Sequence, residues 1–169
     1  SIFEDYSYDI IHGFEEKLRE ILKASNVGGA ETARLNMENF DIEIGGLKKS
    51  VSMGGGFCGI LNTITTLAMS SYLIELGRPA PGFYAVDSSL TQLSEAEHKE
   101  QSNTIKHNFI EYLIDHAHER QVILVEQTKR MPFIPSEDEE EGVHVIRFTR
   151  NKQEGRYGLL NEVFNPEDQ

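Results

Sequence analysis

Two short apolar runs, GFYAVDSSL (82–90) and QVILV (121–125), constrain the fold of this chain most. Between them lies a helical pattern at 104–120, in which Ile105, Phe109, Tyr112, Leu113 and Ala117 share one face. An alternation of helix and buried strand points to an α/β domain with a largely parallel sheet flanked by helices. The apolar part of the first run ends in Asp87, followed by Ser88 and Ser89. A carboxylate at the end of a buried strand can hold the cation that accompanies a phosphate.

The rest of the chain fits this frame. Ile11, Phe14, Leu18, Ile21 and Leu22 recur at helical spacing and predict an amphipathic helix over 8–24, ended by Gly28 and Gly29. Leu35, Met37, Ile42 and Ile44 partly alternate with polar residues, which predicts a strand over 33–44. A loop at 45–56 leads into a helix over 56–76. Ile60, Leu61, Ile64, Leu67, Ala68 and Leu76 line one side of it, and Gly77, Pro79 and Pro81 stop it. Residues 90–100 read as a loop or short helix, 143–148 as a third apolar strand and 155–163 as a last short one. No internal repeat is visible.

With 169 residues the chain can bury one substantial core. Hydrophobic content of 38% and charged content of 26% are ordinary for a globular protein. No apolar run approaches the ~20 residues that a membrane span needs, so no membrane partner is expected. The opening SIFEDYSYD is acidic where a secretory leader is basic. The single cysteine, Cys58, cannot form an internal disulfide, and a reducing cytoplasm is the expected location. A net charge of −12 argues against nucleic-acid binding by this chain itself. Much of the excess sits in the run EDEEE at 137–141, read as a solvated loop, whereas Arg147, Arg150, Lys152 and Arg156 concentrate positive charge after it.

The segment SMGGGFCGILNT (52–63) opens a helix with three glycines. A helix start carries unpaired N–H groups and the positive end of the helix dipole, so glycines there let an anion reach the backbone. A P-loop would have to end at Lys49-Ser50 and needs glycine where Glu43 and Lys48 stand, so it is excluded. Gly54, Gly56 and Gly59 spell the dinucleotide pattern G-x-G-x-x-G. That pattern should directly follow its strand and precede an acidic residue by ~20 positions. Here the strand ends too early and Asp87 comes too late. A dinucleotide-binding enzyme is the weaker alternative, and a helix cap without a ligand is another.

The ordered combination MGGGFCGIL (53–61), GFYAVDSSL and QVILVEQT resembles the signature segment, the Walker B strand with its D-loop, and the switch strand of SMC- and RecN-like ABC-type ATPases. The resemblance covers about residues 30–150. It implies the C-terminal half of an ABC-type P-loop NTPase head, with 1–27 the end of a coiled-coil arm and 28–169 the ATPase lobe. The N-terminal P-loop lobe of the same protein would be one partner, and a head-to-head homodimer the functional assembly. The opening on Ser1 rather than methionine is compatible with a fragment of a longer chain.

By the same resemblance, ATP and Mg2+ are the cofactors. Gly54 and Gly55 match the signature glycines, Gly56 stands at the polar position after them, and Met53 stands where the family has serine, with Ser52 one place early. Asp87 matches the Mg2+-holding aspartate, and Ser88 occupies the place of the catalytic glutamate. Glu126, at the end of the neighbouring strand, is the expected substitute base, with Gln127 as an alternative water-orienting group. In a parallel sheet adjacent strands end on one edge, so the Asp87 and Glu126 carboxylates are expected near each other. The implied function is ATP-driven head dimerisation and hydrolysis in DNA maintenance, repair or anti-phage defence. DNA would be engaged through the full-length protein rather than this acidic lobe, together with a possible effector protein. The alternative is a non-catalytic interaction module of the same fold.

Overall fold

The computed structural model describes residues 2–45, 47–48, 57–90, 99–149, 151, 153 and 156–157. It divides into two compact units, Ser1–Ile134 and Pro135–Gln169. The first is a mixed α/β unit with three α-helices among its described residues. They are α1 (Ile2–Ala24), α2 (Cys58–Glu75) and α3 (Lys99–Asp115).

The core lies where the apolar stripes of these helices meet. Phe14, Leu18, Ile21 and Leu22 of α1 pack in one cluster with Ile60, Leu61, Ile64, Leu67 and Ala68 of α2 and with Ile105, Phe109, Ile110 and Tyr112 of α3. Spacings of three and four residues put each set on one face, as the sequence pattern requires. Leu76 departs from its expected stripe. It caps the end of α2 and is exposed. Past it the chain reverses at Gly77, whose φ of 63° favours glycine, and the Arg78 amide donates to the Leu73 carbonyl at 2.8 Å. In α1 the corresponding left-handed residue is Asn26, with φ 58°, ahead of the expected Gly28 and Gly29. Its wrap is closed by the Val27 amide on the Leu22 carbonyl at 2.9 Å.

The single strand expected over 33–44 is instead an antiparallel hairpin, β1 (Arg34–Asn36) and β2 (Asp41–Ile44), continued by β3 (Leu47–Lys48). Local side-chain chemistry breaks it. The Asn36 side-chain oxygen accepts from the Glu38 amide, the Asn39 oxygen accepts from the Asp41 amide, and Phe40 adopts φ 56°. Glu43, buried in β2, receives both Arg34 Nη2 at 2.7 Å and Asn36 Nδ2 at 2.7 Å. Helix α1 grips the hairpin through Glu15, which accepts the Leu35 amide at 2.8 Å, and through Arg19, which donates to the Ala33 carbonyl at 2.8 Å.

The two apolar runs form β4 (Phe83–Asp87) and β5 (Gln121–Val125), which pair in parallel with Phe83 opposite Gln121 and Asp87 opposite Val125. A largely parallel sheet is not what the described residues build. Their sheets are this parallel pair, the antiparallel three-stranded sheet, and a second parallel pair in the other unit. Nor are β4 and β5 buried on both faces. Tyr84, Val122 and Leu124 pack on the core, whereas Phe83 is 58% exposed, Ile123 43% and Val125 53%.

Helix α3 is described from Lys99, ahead of the start at 104 expected from its apolar face, and ends at Asp115, five residues before the expected 120. Residues 116–119 turn instead, which leads the chain into Arg120. That side chain donates to the Leu67 carbonyl at 3.1 Å and to the Ser71 hydroxyl, tying the start of β5 to α2. The turn also brings His116 and His118 together, with ring centroids 6.5 Å apart, where helical spacing would have separated them.

In the second unit the expected strand over 143–148 is reduced to β6 (Phe148–Thr149), paired in parallel with β7 (Arg156–Tyr157). The acidic run there is a turn whose Glu137, Asp138, Glu139 and Glu141 are exposed. Most of the strand expected over 155–163 lies outside the described residues.

Candidate functional site

The C-terminal edge of β4 and β5 carries Asp87, Ser88, Glu126 and Gln127, part of the chemistry that the sequence singles out. Register places Asp87 opposite Val125, so the residues that follow each strand, Ser88 and Glu126, leave the same edge. The Ser88 amide still donates to the Val125 carbonyl at 2.9 Å, and there the ladder ends. Ser88 turns the chain with φ 56°, a left-handed conformation that non-glycine residues seldom adopt and that clusters at functional sites. Its hydroxyl donates to Asp87 Oδ1 at 2.9 Å, and both side chains are exposed. Asp87 and Ser88 thus present a carboxylate and a hydroxyl side by side on a strained turn.

The Glu126 carboxylate faces inward toward the same turn. Its Oε1 accepts the Leu90 amide at 2.6 Å, and Leu90 is fully buried in the core cluster. Gln127 follows in extended conformation (φ −72°, ψ 128°) before the 3-10 turn Thr128–Arg130. Its side chain makes no capping hydrogen bond to that turn and is exposed at the edge.

Behind the edge lies a residue that sequence reasoning passed over. Lys106 of α3 is 2% exposed, and its Nζ donates to the Arg130 carbonyl at 3.5 Å. Burial lowers its pKa below the usual lysine value, the Arg130 charge lowers it further, and Glu126 pulls the other way. The signal was present in the sequence. Lys106 occupies the apolar stripe of α3, beside Ile105 and Phe109, where a solvated lysine does not belong. The hydroxyl of Ser89 is also buried, with no hydrogen-bond partner among the described residues.

Of the residues assigned to phosphate contact, Ser52, Gly54, Gly55 and Gly56 lie outside the described residues. Helix α2 is described from Cys58, directly after Phe57, whose side chain is buried in the core. Among the described residues no group of three or more His, Cys, Asp or Glu side chains is placed to hold a metal ion. No helix among them is long and apolar enough to cross a membrane. No family model, no curated protein and no solved structure matches this chain.

Proposed function

We propose that this chain is the signature- and Walker B-bearing lobe of an SMC-like ATPase, which completes a nucleotide site only together with a P-loop lobe. One observation carries the reading. Among the described residues, strands β4 and β5 form a parallel pair without a further strand, which carries Asp87 and Ser88 on its C-terminal edge and leaves Phe83, Ile123 and Val125 exposed on one face. Parallel sheets are otherwise covered on both faces and built from more strands. The pair therefore has the form of part of a larger sheet, and strands from the N-terminal lobe of the same protein are the fitting complement.

Nucleotide sites of open parallel sheets lie beyond the C-terminal ends of the strands, the edge where Asp87 and Ser88 stand. Asp87 alone would offer the ion carboxylate oxygens, fewer than the six ligands that Mg2+ prefers, and water and ATP phosphate oxygens would provide the rest. When bound, the ion stabilises charge on the transferring phosphoryl group. Asp87 would hold the ion, the Ser88 hydroxyl orients the Asp87 carboxylate, and Gln127 is the exposed polar side chain that would orient a water. Head-to-head dimerisation, with DNA engaged elsewhere in the full-length protein, is the mode of action that this lobe serves in DNA maintenance, repair or defence.

A second reading, an inert interaction module of the same fold, draws on two features. Ser88 stands where the family's glutamate would be, and Glu126 is already engaged by the Leu90 amide. One experiment separates the readings. This chain alone should show no micromolar ATP affinity by calorimetry. Joined to its P-loop lobe it should hydrolyse ATP, and Asp87→Ala should lower turnover by roughly 100-fold or more, as expected when several kcal/mol of metal stabilisation are lost. Absence of turnover in the joined protein would favour the inert module.

A further inference from the structure

We propose that Lys106 and Glu126 act together as positioning residues: a clasp between α3, the segment after β5 and the turn after β4 that fixes where Asp87 and Ser88 stand. The significance for turnover rests on the ATPase reading above, whereas the clasp itself does not.

Three segments far apart in sequence meet here. The turn after β4 is held from one side by the Leu90 amide on Glu126 Oε1 at 2.6 Å. The segment after β5 is held from the other side by Lys106 Nζ on the Arg130 carbonyl at 3.5 Å. The charges of Lys106 and Glu126 attract, and that of Arg130 opposes Lys106. Leu90 is fully buried, so its amide has no water to fall back on if Glu126 withdraws. Only Ser89 lies between Leu90 and the strained Ser88. A shift at Leu90 is thus passed directly to the turn that aims the Ser88 hydroxyl at Asp87.

Burying a lysine on an apolar helix stripe is costly for folding, and a methionine of similar length would fill the space at lower cost. A purely structural role would therefore be met as well by an apolar side chain. A role in holding the segment after β5 and in facing Glu126 requires the ammonium group.

Amide hydrogen exchange read by NMR on this chain tests the clasp without nucleotide. Glu126→Leu and Lys106→Met should each speed exchange at Leu90 by about tenfold, the loss of one buried hydrogen bond's worth of protection. Glu126→Gln keeps an acceptor oxygen and should stay within about threefold of the parent. Lys106→Met should melt at or above the parent temperature, so that faster exchange cannot be laid to general unfolding. Unchanged Leu90 exchange in both Glu126→Leu and Lys106→Met would overturn the clasp. In the protein joined to its P-loop lobe, Lys106→Met should lower kcat about tenfold at unchanged KM, and Lys106→Arg should restore most of it. An unaltered kcat there would overturn the positioning role. A parent protein without turnover would instead count against the ATPase reading alone, because exchange at Leu90 decides the clasp by itself.

Discussion

Gly13 of α1 lies so close to Tyr72 of α2 that a β-carbon at position 13 would stand 2.5 Å from the ring's Cε2, Cζ and hydroxyl oxygen. The absence of a side chain lets the two helices approach and lets the Tyr72 hydroxyl reach the Asp9 carbonyl at 3.4 Å. Glycine inside a helix otherwise costs about 1 kcal/mol relative to alanine. Gly13→Ala should therefore gain helix propensity and lose more in displacing the ring, for a net destabilisation of about 1 kcal/mol. In a Tyr72→Leu background the same substitution should become stabilising. A double-mutant cycle by urea denaturation checks this, and additive effects would remove the steric account.

The turn at Ser88 makes an independent prediction. Its φ of 56° costs an L-residue about 1–2 kcal/mol that glycine avoids. Ser88→Gly forfeits the exposed hydroxyl bond to Asp87 and should still be neutral or stabilising by up to about 1 kcal/mol. Ser88→Val, branched at Cβ, should destabilise by about 1–3 kcal/mol. Equal effects of the two on the urea midpoint would show that conformation is not what the position demands.

Alkaline pH sets three buried or half-buried groups against one another. Burial works against the Lys17 charge, but bonds to Glu20 and Glu75 raise its pKa above 10.5, so its stabilisation is complete below that value and is lost as pH climbs through the folded pKa. Burial raises the Tyr112 phenol to about 12 from 10.0. The unfolded chain ionises there first, and stability falls between those values. Burial lowers Lys106 below 10.5, so the unfolded chain takes up its proton more readily and stability rises with pH up to 10.5. Thermal melting from pH 9 to about 12 should show a net fall. Tyr112→Phe should make that fall shallower and Lys106→Met should make it steeper. The same slope in all three proteins would contradict these assignments.

The long helices were legible in the sequence because their stripes are unambiguous. Ile60, Leu61, Ile64, Leu67 and Ala68 admit no other arrangement than one buried face. β5 was legible over its whole length, since Gln121–Val125 is a continuous, largely apolar run of strand length. The hairpin at Arg34–Ile44 was not, because Leu35, Met37, Ile42 and Ile44 mimic one alternating strand. The deciding information is the pair of side-chain-to-amide bonds made by Asn36 and Asn39. Strand order revealed that Asp87 and Glu126 leave one edge, but not the direction in which the Glu126 side chain turns. That depends on the Leu90 amide, a backbone group with no sequence signature. Lys106 was visible only as a lysine on an apolar stripe, and its meaning required the position of the Arg130 carbonyl.

The uncovered face of β4 and β5 has a colloidal consequence as well. A short parallel ribbon with Phe83, Ile123 and Val125 facing outward is a template onto which a second ribbon can stack. What opposes such stacking in this chain is long-range repulsion from a net charge of −12. Repulsion of this kind is screened within about 10 Å at 0.1 M salt and vanishes as pH approaches the isoelectric point near 4.9. Salt and mild acid therefore act on this chain in the same direction, toward self-association.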